Sequence, residues 1–203
     1  MVAALFIHPT GPYAELAGID PWDESRDART YAGPCPVIAH PPCQRWGRYW
    51  SGGPSAKVRR KMGDDNGCFK SALASVRVYG GVLEHPEASH AFKHFKLPLP
   101  AWKGGWTAPD AFGGRSCCVA QGHYGHRGRK MTWLYGVDID FKELIWGPTD
   151  PKDRMDRDYH SKEERARAVK TGICQRLSHR QRLLTPLPFA ELLISLVVPG
   201  TNL

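Results

Sequence analysis

Asn66-Gly67-Cys68-Phe69-Lys70-Ser71-Ala72-Leu73-Ala74-Ser75-Val76-Arg77-Val78-Tyr79-Gly80-Gly81-Val82-Leu83-Glu84-His85-Pro86 is the stretch from which the fold follows. Phe69, Leu73 and Val76 recur at the spacing of one helix face. Asp64 and Asp65 stand just ahead of them, where the positive end of a helix favours carboxylates. Gly80-Gly81 ends the helix, and Val82-Leu83-Glu84 is a short apolar strand halted by His85-Pro86. Upstream, Pro36-Val37-Ile38-Ala39-His40 is a similar run stopped by Pro41-Pro42. Strand, helix and strand in that order form the unit that joins parallel strands by a right-handed crossover. The fold class expected is therefore α/β.

Working outward, Ala3-Ala4-Leu5-Phe6-Ile7 reads as a buried strand running into a proline-bearing loop. Ser116 to Gln121 and Met131 to Tyr135 are further strand candidates, joined by the polar, glycine-bearing segment Gly122 to Arg129 as a loop or hairpin. Asp150 to Lys170 is densely charged and reads as an exposed helix capped by Ser161. Leu187 to Val198 closes the chain as an amphipathic helix begun by Pro186 and Pro188. With 203 residues, a single domain spanning 1–203 is expected. Its sheet is expected to be Rossmann-like and mainly parallel, with flanking helices and ligand-binding side chains at the carboxyl ends of the strands.

Composition narrows the function classes. Hydrophobic residues make up 41% and charged residues 24%, which excludes a disordered chain. The apolar run Leu192 to Pro199 is too short to span a bilayer, and the N-terminus has no basic leader, so a cytoplasmic protein with no membrane partner is expected. A formal net charge of +8 favours a polyanionic partner, DNA above all. Six cysteines without a CxxC pair argue against a disulfide framework. Cys117, Cys118, His123 and His126 offer metal-ligand chemistry, but adjacent strand residues point to opposite faces, so no metal is expected.

Two strands end in a proline-framed reactive group: Pro41-Pro42-Cys43-Gln44 and Glu84-His85-Pro86. In a parallel sheet both ends lie on one edge, which brings a thiol and a carboxyl group to one cleft, a nucleophile beside a proton carrier. The competing readings are a small buried cysteine and a strand-end carboxylate paired with a cation. From Gln44 to Lys61, Arg45, Arg48, Lys57, Arg59, Arg60 and Lys61 alternate with Trp46, Tyr49 and Trp50. That pattern suits a mobile loop over nucleic acid, cations for phosphate and rings for bases.

Val37 to Cys43 resembles the strand ending in Pro-Cys of the C5-cytosine DNA methyltransferases, and in particular of their short phage-encoded branch. Leu83-Glu84-His85-Pro86 resembles the Glu-Asn-Val or Glu-Asn-Pro element of that family, and Gln121 to Leu134 resembles both its Arg-x-Arg segment and a phage-branch Gly-His-x-x-x-Lys-x-Thr-x-x-Leu pattern. Arg180 to Phe189 is similar to a C-terminal Arg-x-x-Thr-Pro element. The resemblance runs from about residue 37 to 190. It implies a truncated methyltransferase-type core that modifies a DNA pyrimidine through a covalent Cys43 adduct at C6 of cytosine. Glu84 would serve N3, with Arg127 and Arg129 steadying base and thiolate. Pro41, Pro42, Gln44, His85, Pro86, Lys130 and Thr132 would contact the substrate. S-adenosylmethionine would be the cofactor, near Phe6, Asp20 and Asp23.

The chain departs from the pattern after its first strand, where Ile7-His8-Pro9-Thr10-Gly11-Pro12 replaces a glycine-rich turn. Two alternatives stay open at this stage. One is a related enzyme that removes or exchanges a C5 substituent without S-adenosylmethionine; the other is a catalytically silent DNA-binding protein of the anti-restriction type.

Overall fold

The computed structural model describes residues 1–52, 57–58, 60–149, 153–154, 163, 166, 170 and 175–200. Six strands form one sheet: β1 (Val2–Leu5), β2 (Ile19–Trp22), β3 (Val37–Ala39), β4 (Gly81–Pro86), β5 (Arg115–Ala120) and β6 (Met131–Val137), in the spatial order β2-β1-β3-β4-β6-β5. The pairs β1/β2, β1/β3 and β3/β4 are parallel, whereas β6 runs antiparallel to both β4 and β5. The sheet is thus mixed, a parallel run of four strands with an antiparallel hairpin at one side. The expectation of a mainly parallel sheet holds for the half that contains Cys43 and Glu84. A separate small ladder pairs β7 (Asp153–Arg154) with β8 (Gln175–Arg176).

Alternation along the strands decides the layers, because successive strand residues face opposite sides. Ala3, Leu5, Val37, Ala39, Leu83, Tyr135 and Val137 share one apolar cluster with Phe69, Leu73 and Val76 of α1 (Cys68–Tyr79). Val2, Ala4, Ile38, Val82, Leu134, Cys117 and Val119 share the other with residues of a C-terminal helix, Phe189, Leu193, Leu196 and Val197. Two short helices, α2 (His90–His94) and α3 (His179–Leu183), precede that helix, α4 (Leu187–Val197). The helix expected over Asp150 to Lys170 falls largely outside the described residues.

The crossover expected from the opening stretch is present: β3, α1 and β4 follow one another, and β3 pairs β4 in parallel through Val37↔Gly81 to Ala39↔Leu83. Gly81 has φ +124°, and a side chain there would run into the Val37 backbone, so only glycine permits β4 to begin so close to β3. Asp65, rather than Asp64, closes the start of α1, its carboxylate accepting from the backbone N–H of Gly67 (3.0 Å) and Phe69 (2.9 Å).

The strand of the main sheet that sequence reasoning missed is β2. Ile19-Asp20-Pro21-Trp22 carries a proline and an aspartate, both poor strand formers, yet it pairs beside β1 at the sheet edge, where proline is tolerated. It reaches β1 through a short connection whose one regular piece is a 3-10 turn at Pro12–Ala14, with no α-helix between them. Among the described residues, no helix is long and apolar enough to cross a membrane.

Candidate functional site

The carboxyl ends of β1, β3 and β4 open on one edge of the sheet, and the hairpin delivers further groups to the same edge. Because β6 opposes β4, with Pro86 level with Thr132, the loop between β5 and β6 lies beside the end of β4. That loop is tightly closed, Gln121 N–H donating to Lys130 O (3.1 Å) and Gly122 N–H to Arg129 O (3.2 Å). Lys130 itself sits at φ +41°, a left-handed conformation that a lysine adopts only where its surroundings impose it.

Glu84 is the centre of this edge. Its side chain is 13% exposed. His40 Nδ1 lies 3.0 Å from Oε2, and Gln121 Nε2 donates to Oε1 at 3.2 Å. Burial pushes the carboxyl up, but the hydrogen bond and charge of His40, with the charges of Lys130 and His85, outweigh it and hold the group below its ordinary range. His40 continues outward, its Nε2 lying 2.9 Å from the Tyr13 hydroxyl. Gln121 is fully buried, also donates to Thr132 Oγ1 at 2.9 Å, and leaves its own Oε1 without a partner.

Cys43 stands in a turn just after β3, where its carbonyl accepts from Trp46 N–H (3.0 Å) and Gly47 N–H (2.8 Å). Burial and the negative charge of Glu84 push its thiol up, while Lys130 pulls in the opposite direction. The ammonium of Lys130 is drawn down by burial and raised by Glu84 and Cys43. It donates to the Leu184 carbonyl at 2.7 Å, which seats the segment after α3 against the site. Thiol, carboxylate and ammonium therefore sense one another electrostatically, and the thiol is protonated in the free protein at neutral pH.

The remaining expected residues divide. Pro41 is buried, Pro42 and Gln44 are exposed, and Pro86 is half-buried. Arg129 is half-buried with its Nε donating to the Thr149 carbonyl at 2.8 Å, and Arg127 is exposed on the hairpin loop. His85 corrects one expectation: it is fully buried, edge-on to Phe69 with ring centroids 5.1 Å apart, on the α1 side of the sheet. Burial draws its pKa down to about 4, so it is a neutral core residue rather than a substrate contact. Thr132 is likewise fully buried and acts through Gln121. Cys117 packs in the apolar cluster under α4, and no group of three or more His, Cys, Asp or Glu side chains could hold a metal ion among the described residues.

The basic loop also differs from its reading. Trp46 is a core residue, 3% exposed, packed on Phe69, His94 and Phe95, and is not offered for base stacking. Arg45 O accepts from Gly63 N–H at 2.9 Å, so the loop's two ends are drawn together. Tyr49, Arg48, Lys57, Arg60 and Lys61 are exposed, Trp50 is half-buried, and Arg59 lies outside the described residues.

Beside the ends of β1 and β2 is a cleft of about 510 Å³ lined by Ile7, His8, Pro9, Asp23, Glu24 and Ser25. Of the residues expected near a cofactor, Asp23 lines it, with Oδ1 accepting from Ser25 N–H (3.0 Å) and Oγ (2.6 Å). Asp20 is held by Trp22 Nε1 (2.8 Å) and Arg26, and Phe6 packs against the α1-side core.

His40, Tyr13 and Gln121 are the site members that sequence reasoning missed. A histidine before Pro-Pro-Cys and a glutamine closing a strand were visible, but their convergence on Glu84 depends on β3, β4 and the hairpin sharing an edge. No protein-family model matches the chain, and neither does any curated protein or solved structure.

Proposed function

We propose that this chain is a DNA pyrimidine-modifying enzyme, resembling the C5-cytosine methyltransferases, in which Cys43 Sγ adds covalently to C6 of a cytosine. The observation that carries the reading is the buried Glu84 carboxylate at the strand edge, gripped by His40 and Gln121 and within electrostatic reach of Cys43 and Lys130. A carboxyl group so held can serve N3 of a pyrimidine while a thiol attacks C6. Lys130 favours the thiolate that the attack requires. The parallel run β2-β1-β3-β4 beside an antiparallel hairpin is compatible with a methyltransferase-type core whose cofactor half is reduced.

The reacting carbons of a stacked cytosine are covered, so the base is extruded or presented single-stranded. The exposed cations of the 44–61 loop and the net charge of +8 support a DNA partner. Such an enzyme works where the DNA is, in the cytoplasm of a bacterial or phage-infected cell. S-adenosylmethionine, if bound, would lie in the cleft with Asp23 and Glu24 at its ribose, and it would supply an electrophilic methyl group. A second reading, exchange or removal of a C5 substituent without that donor, is favoured by the turn after β1. That turn is closed by His8, whose carbonyl accepts from Gly11 N–H (2.9 Å) and whose Nδ1 accepts from Thr10 N–H (3.2 Å), in place of a glycine-rich loop.

DNA carrying a 2-pyrimidinone base, which lacks the 4-amino group and is more electrophilic at C6, reports the addition step alone. Intact mass is expected to show a protein–DNA adduct for the natural protein and none for Cys43→Ala. An absent adduct in both would overturn the covalent reading. The same incubation on cytosine DNA with and without S-adenosylmethionine, followed by nucleoside mass analysis, separates the two enzyme readings.

A further inference from the structure

The chain Tyr13–His40–Glu84 has a feature that a purely structural contact does not need: both ring nitrogens of His40 face groups that accommodate either charge state. At Nδ1 stands the Glu84 carboxylate oxygen, 3.0 Å away, and at Nε2 the Tyr13 hydroxyl, 2.9 Å away. A hydroxyl donates to a bare ring nitrogen and accepts from a protonated one, so His40 stays hydrogen-bonded on both sides whether neutral or cationic. The His40 side chain is 12% exposed, enough for exchange with solvent, whereas Tyr13 is 2% exposed, packed against the imidazole ring at 5.2 Å. No hydrogen bond joins Cys43 Sγ to Glu84 among the described residues. Among the described residues, the acidic protons in direct contact with the carboxylate are therefore those of the His40 imidazole.

We propose that His40 is the positioning residue that feeds Glu84 its proton, with Tyr13 as the outer support of the relay. The proposal rests on the covalent reading above. With Cys43 as thiolate, its proton released to solvent, the Sγ lone pair forms the Sγ–C6 bond. The C5=C6 pair becomes C4=C5, and the C4=N3 pair passes to N3. The Glu84 carboxylate takes the Nδ1 proton of protonated His40 and passes it to N3. The imidazole is left neutral, its Nε2–H donating to the Tyr13 hydroxyl oxygen, and is reprotonated from solvent. The charged or titratable groups facing Glu84 are His40, Lys130, His85, Cys43 and Tyr13; those facing His40 are Glu84 and Tyr13.

Two measurements test this. The first follows the rate of adduct formation with 2-pyrimidinone DNA. His40→Gln, which keeps a donor to Glu84 but carries no exchangeable charge, is expected to be slower by roughly 100-fold at neutral pH. His40→Gly with added imidazole is expected to recover much of the rate. Equal rates for the natural protein and His40→Gln would overturn the relay. The second is independent of catalysis: the His40 ring nitrogens are observed by 15N NMR in the natural protein and in Glu84→Gln. Loss of the carboxylate that faces Nδ1 is expected to move the Nδ1 resonance, and an unmoved resonance would sink the relay even if the adduct forms. An adduct missing from the natural protein, with the coupling of His40 to Glu84 intact, would instead remove the covalent reading.

Discussion

Trp46 Nε1 donates to Asp65 Oδ2 at 2.8 Å, joining the turn that carries Cys43 to the start of α1. The same carboxylate receives the Gly67 and Phe69 N–H groups, so one side chain fixes the helix end and anchors the loop. The Trp46 carbonyl in turn accepts from His90 N–H at 2.8 Å, tying the turn to α2. Cys43 is thus set on a backbone braced from two helices.

Asp65→Ala removes three hydrogen bonds at once, two of them capping contacts. A loss of about 2 kcal/mol in unfolding free energy is expected, measured by urea denaturation. Asp64→Ala, whose side chain is exposed, is expected to change stability by less than about 0.5 kcal/mol. Equal effects of the two would show that the Trp46–Asp65 link carries no stability.

Much of this frame was legible in the sequence because the signals were periodic. The apolar faces of α1 and α4, the runs of β1, β3 and β4, and the β5–β6 hairpin all declare themselves by spacing and punctuation. β2 does not, because its four residues pair at an edge where neither burial nor propensity imposes a pattern. The partners of Cys43 and Glu84 divide on the same principle. Lys130 stands in a motif, whereas His40, Gln121 and Tyr13 become site residues only when strands far apart in sequence share an edge. Trp46 misled for a related reason: an aromatic set among cations reads as a stacking surface until its indole is found inside the core.

His85 gives stability a dependence on pH with a definite sign. Its folded pKa of about 4 lies below the ordinary histidine value of 6.5, so between those limits the unfolded chain binds the proton more readily. Stability contributed by the neutral core imidazole is complete above pH 6.5 and is lost as pH falls toward 4, by on the order of 3 kcal/mol. Glu84, whose folded pKa is lowered, adds a further loss in a more acidic window, as pH falls through its folded pKa. Urea denaturation at intervals from pH 7.5 to pH 4 is expected to show the first limb in the natural protein. A marked flattening is expected in His85→Gln, and a slope identical in the two would remove His85 as its source.

The electrostatic triangle of Cys43, Glu84 and Lys130 makes opposed predictions for thiol reactivity. Burial and Glu84 raise the thiol and Lys130 lowers it, so alkylation of Cys43 by iodoacetamide is expected to be slow at pH 7.5. Glu84→Gln is expected to accelerate it several-fold and Lys130→Met to slow it, as read by peptide mapping that separates Cys43 from the partly exposed Cys35 and Cys68. Parallel changes in both variants would indicate altered access rather than altered charge.

The basic loop is expected to act on DNA through its charges and one ring. Arg48, Lys57, Arg60 and Lys61 are exposed, and Tyr49 is 64% exposed beside them, while Trp46 is spent in the core. If the cations meet phosphates, the logarithm of the binding constant falls linearly with that of salt concentration. Replacing each contacting cation by alanine then reduces the slope by about 0.9 on a duplex and about 0.7 on a single strand. Tyr49→Ala leaves that slope unchanged and weakens single-strand binding by about 1–3 kcal/mol through lost stacking. Fluorescence anisotropy across a salt series distinguishes the two contributions. Because Gly63 N–H closes on Arg45 O at the loop's neck, the alanine variants should leave the Cys43 turn intact, and their adduct yield at saturating DNA should match that of the natural protein. A slope unaltered by removing all four cations would place the DNA elsewhere on the molecule.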